Sequence, residues 1–98
     1  MEKPKTGIEL IAKERQKQID KHGFTVEHSV SHNEWYAKGQ LIQASLEILK
    51  PDTIPTTPDN WDKEWFKNLT ERSHKERLVI AAALIAAELD RIELLENS

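Results

Sequence analysis

Leu78 to Ala87 is an unbroken run of ten apolar residues, half of them alanine. A helix that is apolar on every side has to be covered on every side. The run is too short to cross a bilayer, which takes roughly 20 apolar residues. Other helices of a bundle must therefore surround it. At 98 residues the chain is one domain. A chain of this size buries only about 60–70% of the surface its unfolded form exposes. The spacing predicts an all-α fold, a small helical bundle of three main helices plus one short helix, completed by self-association.

Helix starts are marked by capping boxes, a Ser or Thr followed three residues later by Glu. Thr6 pairs with Glu9, Ser31 with Glu34, and Ser73 with Glu76. The first helix is predicted over Gly7 to His22, stopped by Gly23. Its face carries Ile8, Ala12, Arg15 and Ile19, with Ile11 beside it. The second helix is predicted from His32 to Leu49, ahead of Pro51. It has two apolar stripes, one of Trp35, Gly39, Ile42, Leu46 and Leu49, the other of Ala37, Leu41, Ala44 and Ile48. Burial on two sides means a central helix, or one that packs on its own core and on a partner chain. Pro51, Pro55 and Pro58 make a loop up to Asn60. Trp61, Trp65, Phe66 and Leu69 then predict a short helix that docks an aromatic lid. The last helix runs from His74 to about Glu96.

The 17 acidic and 14 basic side chains leave a net charge of −3. That argues against DNA or RNA binding, which asks for a basic patch. No signal peptide or polybasic membrane anchor is visible, so a cytoplasmic protein without membrane attachment is expected. Cysteine is absent, which removes thiolate chemistry and Cys-based zinc sites. The four histidines sit at helix ends or in loops and read as solvated or capping groups. Three glycines cannot build a phosphate-cradling loop or a dinucleotide fingerprint.

Glu88 is the most informative residue. It falls on the wheel among Ala81, Leu84, Ile92 and Leu95, and carboxylates almost never lie buried unpaired. It binds a cation, is neutralised by a neighbour such as Arg91, or its face reaches water. Asp90, toward the small-residue side, reads as a surface group or an outer support for such a site. Glu14 and Gln18, one turn apart, are a charged rim or one carboxylate of a metal cluster. Gln40, Gln43 and Glu47 make a polar stripe that faces solvent or lines a cleft. Trp61 and Trp65 read first as core.

Five segments occur in order: Glu14-Arg-Gln-Lys-Gln-Ile19, Gly23-Phe-Thr-Val-Glu-His28, Gly39-Gln-Leu41, Trp61-Asp-Lys-Glu-Trp-Phe-Lys67 and Ala83-Leu-Ile-Ala-Ala-Glu-Leu-Asp-Arg91. Together they resemble the short phage- and prophage-type members of the MazG-like all-α nucleoside triphosphate pyrophosphohydrolases. The resemblance spans about Ile11 to Ile92. It implies an oligomeric bundle, a dimer or higher, that holds Mg²⁺ (or Mn²⁺) between facing helices. Such a protein hydrolyses a nucleoside triphosphate, in the first place a deoxynucleotide, to monophosphate and pyrophosphate. Hard cations of this kind take oxygen ligands and neutralise developing phosphate charge. On that reading Glu14, Glu47 and Glu88 are metal ligands, with Glu14 and Glu88 catalytic. Gln40 and Gln43 line the substrate cleft, and Trp61 and Trp65 form a lid or base contact. Relatives often carry Glu where this chain has Gln40, Asp where it has Ser29 and Val30, and a polar pair where it has Val79 and Ile80. The alternative is accordingly an inactive nucleotide- or protein-binding oligomer, and a third reading is a purely structural oligomerisation module.

Overall fold

The structure is a computed structural model that describes residues 5–22, 33–50 and 55–97. Among them every regular element is helical. They are α1 (Gly7–His22), α2 (Asn33–Tyr36), α3 (Gln40–Leu49), α4 (Lys63–Thr70) and α5 (His74–Glu96). The expected cap at Ser31 and stop at Gly23 lie outside the described residues.

Two of the capping boxes set the helix starts. At α1 the Glu9 amide donates to Thr6 Oγ1 and the Thr6 amide to Glu9 Oε1, both at 3.2 Å. The Thr6 amide, and after it the Thr6 hydroxyl, holds the Glu9 carboxyl below its usual range. At α5 the Glu76 amide donates to Ser73 Oγ at 3.2 Å. The reciprocal arm here is the hydroxyl itself, which donates to Glu76 Oε1. The short helix α4 starts on a cap that the sequence reading did not name: Asp62 Oδ1 accepts from the Trp65 amide at 2.7 Å.

The second predicted helix is not continuous. A single turn, α2, ends at Tyr36, and α3 starts only at Gln40. Gly39 lies between them at φ 77°, in the left-handed region. That conformation is easy for glycine and costs other residues roughly 1–2 kcal/mol. The apolar period runs straight through Gly39, so period alone conceals the corner.

The core is an antiparallel pair, α3 against α5. Ser45 Oγ donates to the Ala81 carbonyl and Arg77 Nη1 to the Ile48 carbonyl, so one helix descends as the other rises. Leu41, Ala44 and Ile48 are fully buried against Ile80, Ala81, Leu84 and Ala87. Small residues at Ala44, Ser45 and Ala81 let the backbones approach. Phe66 and Tyr36 close one end, with Trp35, Trp61, Trp65 and Leu69 packed over them. α1 lies on another flank of α5. It packs through Arg15 and Gln18, while Ile8 is 82% exposed and Ala12 is exposed too. The expected face of α1 is therefore rotated toward Ile11.

All-round burial of α5 is not reached within one chain. Leu78, Ile85, Leu89 and Ile92 are exposed, Leu89 by 60%, although Ala81, Ala83 and Leu84 are sealed. Leu78, Ala82, Ile85, Leu89 and Ile92 repeat at steps of four, three, four and three. That is the spacing of a heptad stripe. On α3 the Leu41 stripe is the internal one, and the other stripe leaves Ile42, Leu46 and Leu49 exposed. Each exposed stripe lies about 100° round its helix from the line of contact, in the same rotational sense. In an antiparallel pair that places both stripes on one side of the two-helix layer. No helix among the described residues is long and apolar enough to cross a membrane.

Candidate functional site

The three carboxylates expected to share a metal are held in three places. Glu88, 6% exposed, sits on the α5 face that packs on α3. Its Oε1 accepts from Arg91 Nη2 at 2.6 Å and from Arg91 Nε at 2.8 Å. Of the three fates open to Glu88, neutralisation by Arg91 is the one observed. One helical turn separates the pair, so the partner was legible as the residue three positions on.

Glu47 is buried near the end of α3. Its Oε2 accepts from Lys50 Nζ at 2.8 Å and its Oε1 from the Thr56 amide at 2.7 Å. The carboxylate ties the proline-rich segment to the helix. The Lys50 bond, then the Thr56 amide, keeps its carboxyl below the usual range. Glu14 is half-buried and lines an open cleft between α1 and the start of α5. Among the described residues no three His, Asp or Glu side chains converge to hold a metal ion. With Glu88 committed to Arg91 and Glu47 to Lys50, the expected ligand set does not fit Mg²⁺ as one shell.

Gln40 differs most from its expected role as a cleft residue. It is 0% exposed. Its Oε1 accepts from the Lys38 amide at 2.7 Å. Its Nε2 donates to the Glu34 carbonyl at 3.0 Å and toward the Asp59 carbonyl at 3.5 Å. The amide is a clamp on the Gly39 corner and needs both a donor and an acceptor end. A carboxylate in its place would face two carbonyl oxygens without a proton to offer. Gln43 is half-buried along α3.

The aromatic lid is present. Trp61 Nε1 donates to the Trp35 carbonyl at 2.8 Å. Its ring meets Tyr36 and Phe66 edge to face, with centroids 6.4 and 6.1 Å apart, and Trp65 tilted at 6.0 Å. The two tryptophans are partly buried against the core, so the cover closes on protein.

A second polar group was not anticipated as such. Arg15 Nη2 and Nε both reach Asp90 Oδ2 at 3.1 Å, joining α1 to α5. Nearby Tyr36 is 2% exposed, and burial pushes its hydroxyl up to about 12, with Arg15 opposing. Gln18 is 3% exposed, and among the described residues its Oε1 has no hydrogen-bond partner. The signal was present in the sequence: Arg15 stands in an apolar stripe, as Glu88 does. A charged residue there is a pairing demand, and α1 and α5 answer each other.

The α1/α5 cleft measures about 730 Å³. Leu10, Val79 and Ile80 line its floor, and Lys13, Lys17, Lys21 and Lys75 stand around it. The described residues form a small all-α bundle with a buried Glu88–Arg91 pair, an Arg15–Asp90 pair between α1 and α5, and a groove edged by lysines. No family model matches the chain, and no curated protein or solved structure is significantly similar to it.

Proposed function

We propose that this chain is a MazG-like helical binding module that works as a dimer and does not hydrolyse nucleotides. The observation that carries the reading is the uncharged face of α3 and α5. Ile42, Leu46 and Leu49 on one helix and Leu78, Ile85, Leu89 and Ile92 on the other are exposed together. Patches of this kind, uncharged and in heptad register, mark association sites. A two-fold pairing of this layer with itself makes a four-helix arrangement and gives the apolar run of α5 its missing cover. The Leu41, Ala44 and Ile48 stripe is already used inside the chain, so the interface falls on the opposite one. Dispersal of Glu14, Glu47 and Glu88 supports binding without metal-dependent turnover.

Light scattering at micromolar concentration tests the dimer. The mass should be twice 11.3 kDa, and Leu46→Glu combined with Leu89→Glu should return it to that of one chain. A wild-type mass of one chain removes the dimer. One observation favours the hydrolase reading instead: Glu14 lies in an open cleft and makes no ion pair among the described residues. Pyrophosphate release from deoxynucleoside triphosphates with Mg²⁺ or Mn²⁺ should be absent. Release that needs the metal and is lost in Glu14→Gln would replace the binding-module reading by that one.

A further inference from the structure

We propose that the α1/α5 cleft is a docking groove for an acidic amphipathic helix of a protein partner. The inference rests on the binding-module reading and says what is bound. The chain is net negative, yet the cleft gathers positive charge. Lys13, Lys17 and Lys21 follow one another at four-residue steps, so they form one edge about 12 Å long. Lys75 stands on the facing helix. None of the four lysines makes an ion pair among the described residues.

The other charges of the cleft are partly committed. Arg72 pairs with Glu76 at 3.2 Å, and Asp20 accepts from Gln16 Nε2 at 2.9 Å. Glu14 and Asp20, whose partner Gln16 is neutral, remain as acids against the four lysines. Beneath the lysines the surface is apolar: Leu10 and Val79 are half-buried and Ile80 is buried. Lys17 is itself half-buried, and a lysine in such a place buries its stem on apolar surface and keeps its charge in water.

An apolar floor with a basic edge selects a ligand that is apolar on one side and acidic on the next. Three acids at i, i+4 and i+8 on a helix match the spacing of the lysine row, because both elements share one rise per residue. A Leu row beside them would meet Leu10, Val79 and Ile80. This is helix-in-groove recognition with charge setting the register. A free phosphate chain would use the lysines and leave the floor unused. At the start of α5 the Ser73 hydroxyl already occupies the Glu76 amide, and the Glu76 carboxylate stands beside it to repel phosphate. The groove floor at Val79 and Ile80 lies roughly 100–160° round α5 from the Leu78–Ile92 seam, so docking and dimerisation meet only at the edge marked by Lys75.

The test uses the full chain and a dye-labelled synthetic helix that carries Glu at i, i+4 and i+8 with an adjacent Leu row. Fluorescence anisotropy should show binding that weakens with added salt. Lys13→Glu/Lys17→Glu/Lys21→Glu should weaken it by about tenfold or more, since three attractive contacts become repulsive. A peptide with Lys in place of the three Glu should recover binding to that variant and fail on the wild type. Lys13 and Lys21 are exposed and Lys17 is half-buried, and circular dichroism should show an unchanged fold. The proposal is overturned if a scrambled peptide of equal charge binds as well, if the reversal has no effect, or if tripolyphosphate binds and the peptide does not. Light scattering on the same samples keeps the two readings apart. A dimer that ignores the peptide overturns docking alone, whereas a monomer that binds it overturns the dimer alone.

Discussion

Replacing Glu88 by Gln separates an ion pair from a metal ligand. In the folded chain Glu88 and Arg91 have side chains only 8% and 14% exposed. The carboxylate receives two guanidinium N–H groups on one oxygen. Removing one member of a buried pair strands the other charge and costs about 3–5 kcal/mol. Arg91 belongs to the same helix and is the more exposed partner, so it can swing toward water and recover part of that cost. A loss of about 2–3 kcal/mol is expected. The whole stability of a domain of this length is about 5–15 kcal/mol. At about 4–8 °C per kcal/mol the midpoint should fall by roughly 10–20 °C. Thermal melts of wild type and Glu88→Gln, each with and without Mg²⁺, supply the measurement. Mg²⁺ should leave both curves in place. Glu88→Leu with Arg91→Met should recover most of the loss, because an apolar pair of similar size leaves nothing unpaired. A Glu88→Gln protein as stable as wild type, or a wild-type curve raised by Mg²⁺ and a variant curve unmoved, would refute the reasoning.

Gln40→Ala should cost about 2–4 kcal/mol in urea titrations, through a cavity and an orphaned Lys38 amide; Gln40→Glu should also destabilise at neutral pH. Ser73→Ala should lower stability by about 0.5–2 kcal/mol by removing the cap on the Glu76 amide, and a melt matching wild type would show that the cap is idle. The Glu47 carboxyl titrates lower in the folded chain than its ordinary 4.5, so its contribution is present above that pH and lost as pH falls through the folded value. The stability gap between wild type and Glu47→Gln should therefore narrow in acid below about pH 4.5, and a gap constant with pH would contradict the Lys50 and Thr56 bonds.

Helix limits were legible because they rest on local chemistry. Thr6 with Glu9 and Ser73 with Glu76 fixed the starts of α1 and α5 from residues a single turn apart. The α2–α3 corner was not legible, since Trp35 and Ile42 keep the helical period across Gly39. Its one local sign was the glycine. Two apolar stripes on α3 showed that it packs on two sides, and only the three-dimensional pairing with α5 decided that Leu41 faces inward and Leu46 outward. Glu88 was readable as a residue in need of a partner, and Arg91 stood in reach. Gln40 was not readable, because the Asp59 carbonyl that completes its clamp is brought there by the fold.

That clamp has a consequence for how the molecule opens. Gln40 Nε2, Asn60 Nδ2 and Trp61 Nε1 all donate to carbonyls across the corner: Gln40 to Glu34 and Asp59, Asn60 to Glu34 at 2.8 Å, and Trp61 to Trp35. The chain between Pro55 and Trp61 is thus stitched to α2 by side chains, without a strand or helix of its own. Its amides should exchange with solvent as one cooperative unit together with α2 and the tryptophans, ahead of the α3–α5 pair. A protease that cuts near Asn60 would then be reporting the release of the whole aromatic cover, and its rate would measure the free energy of that one event.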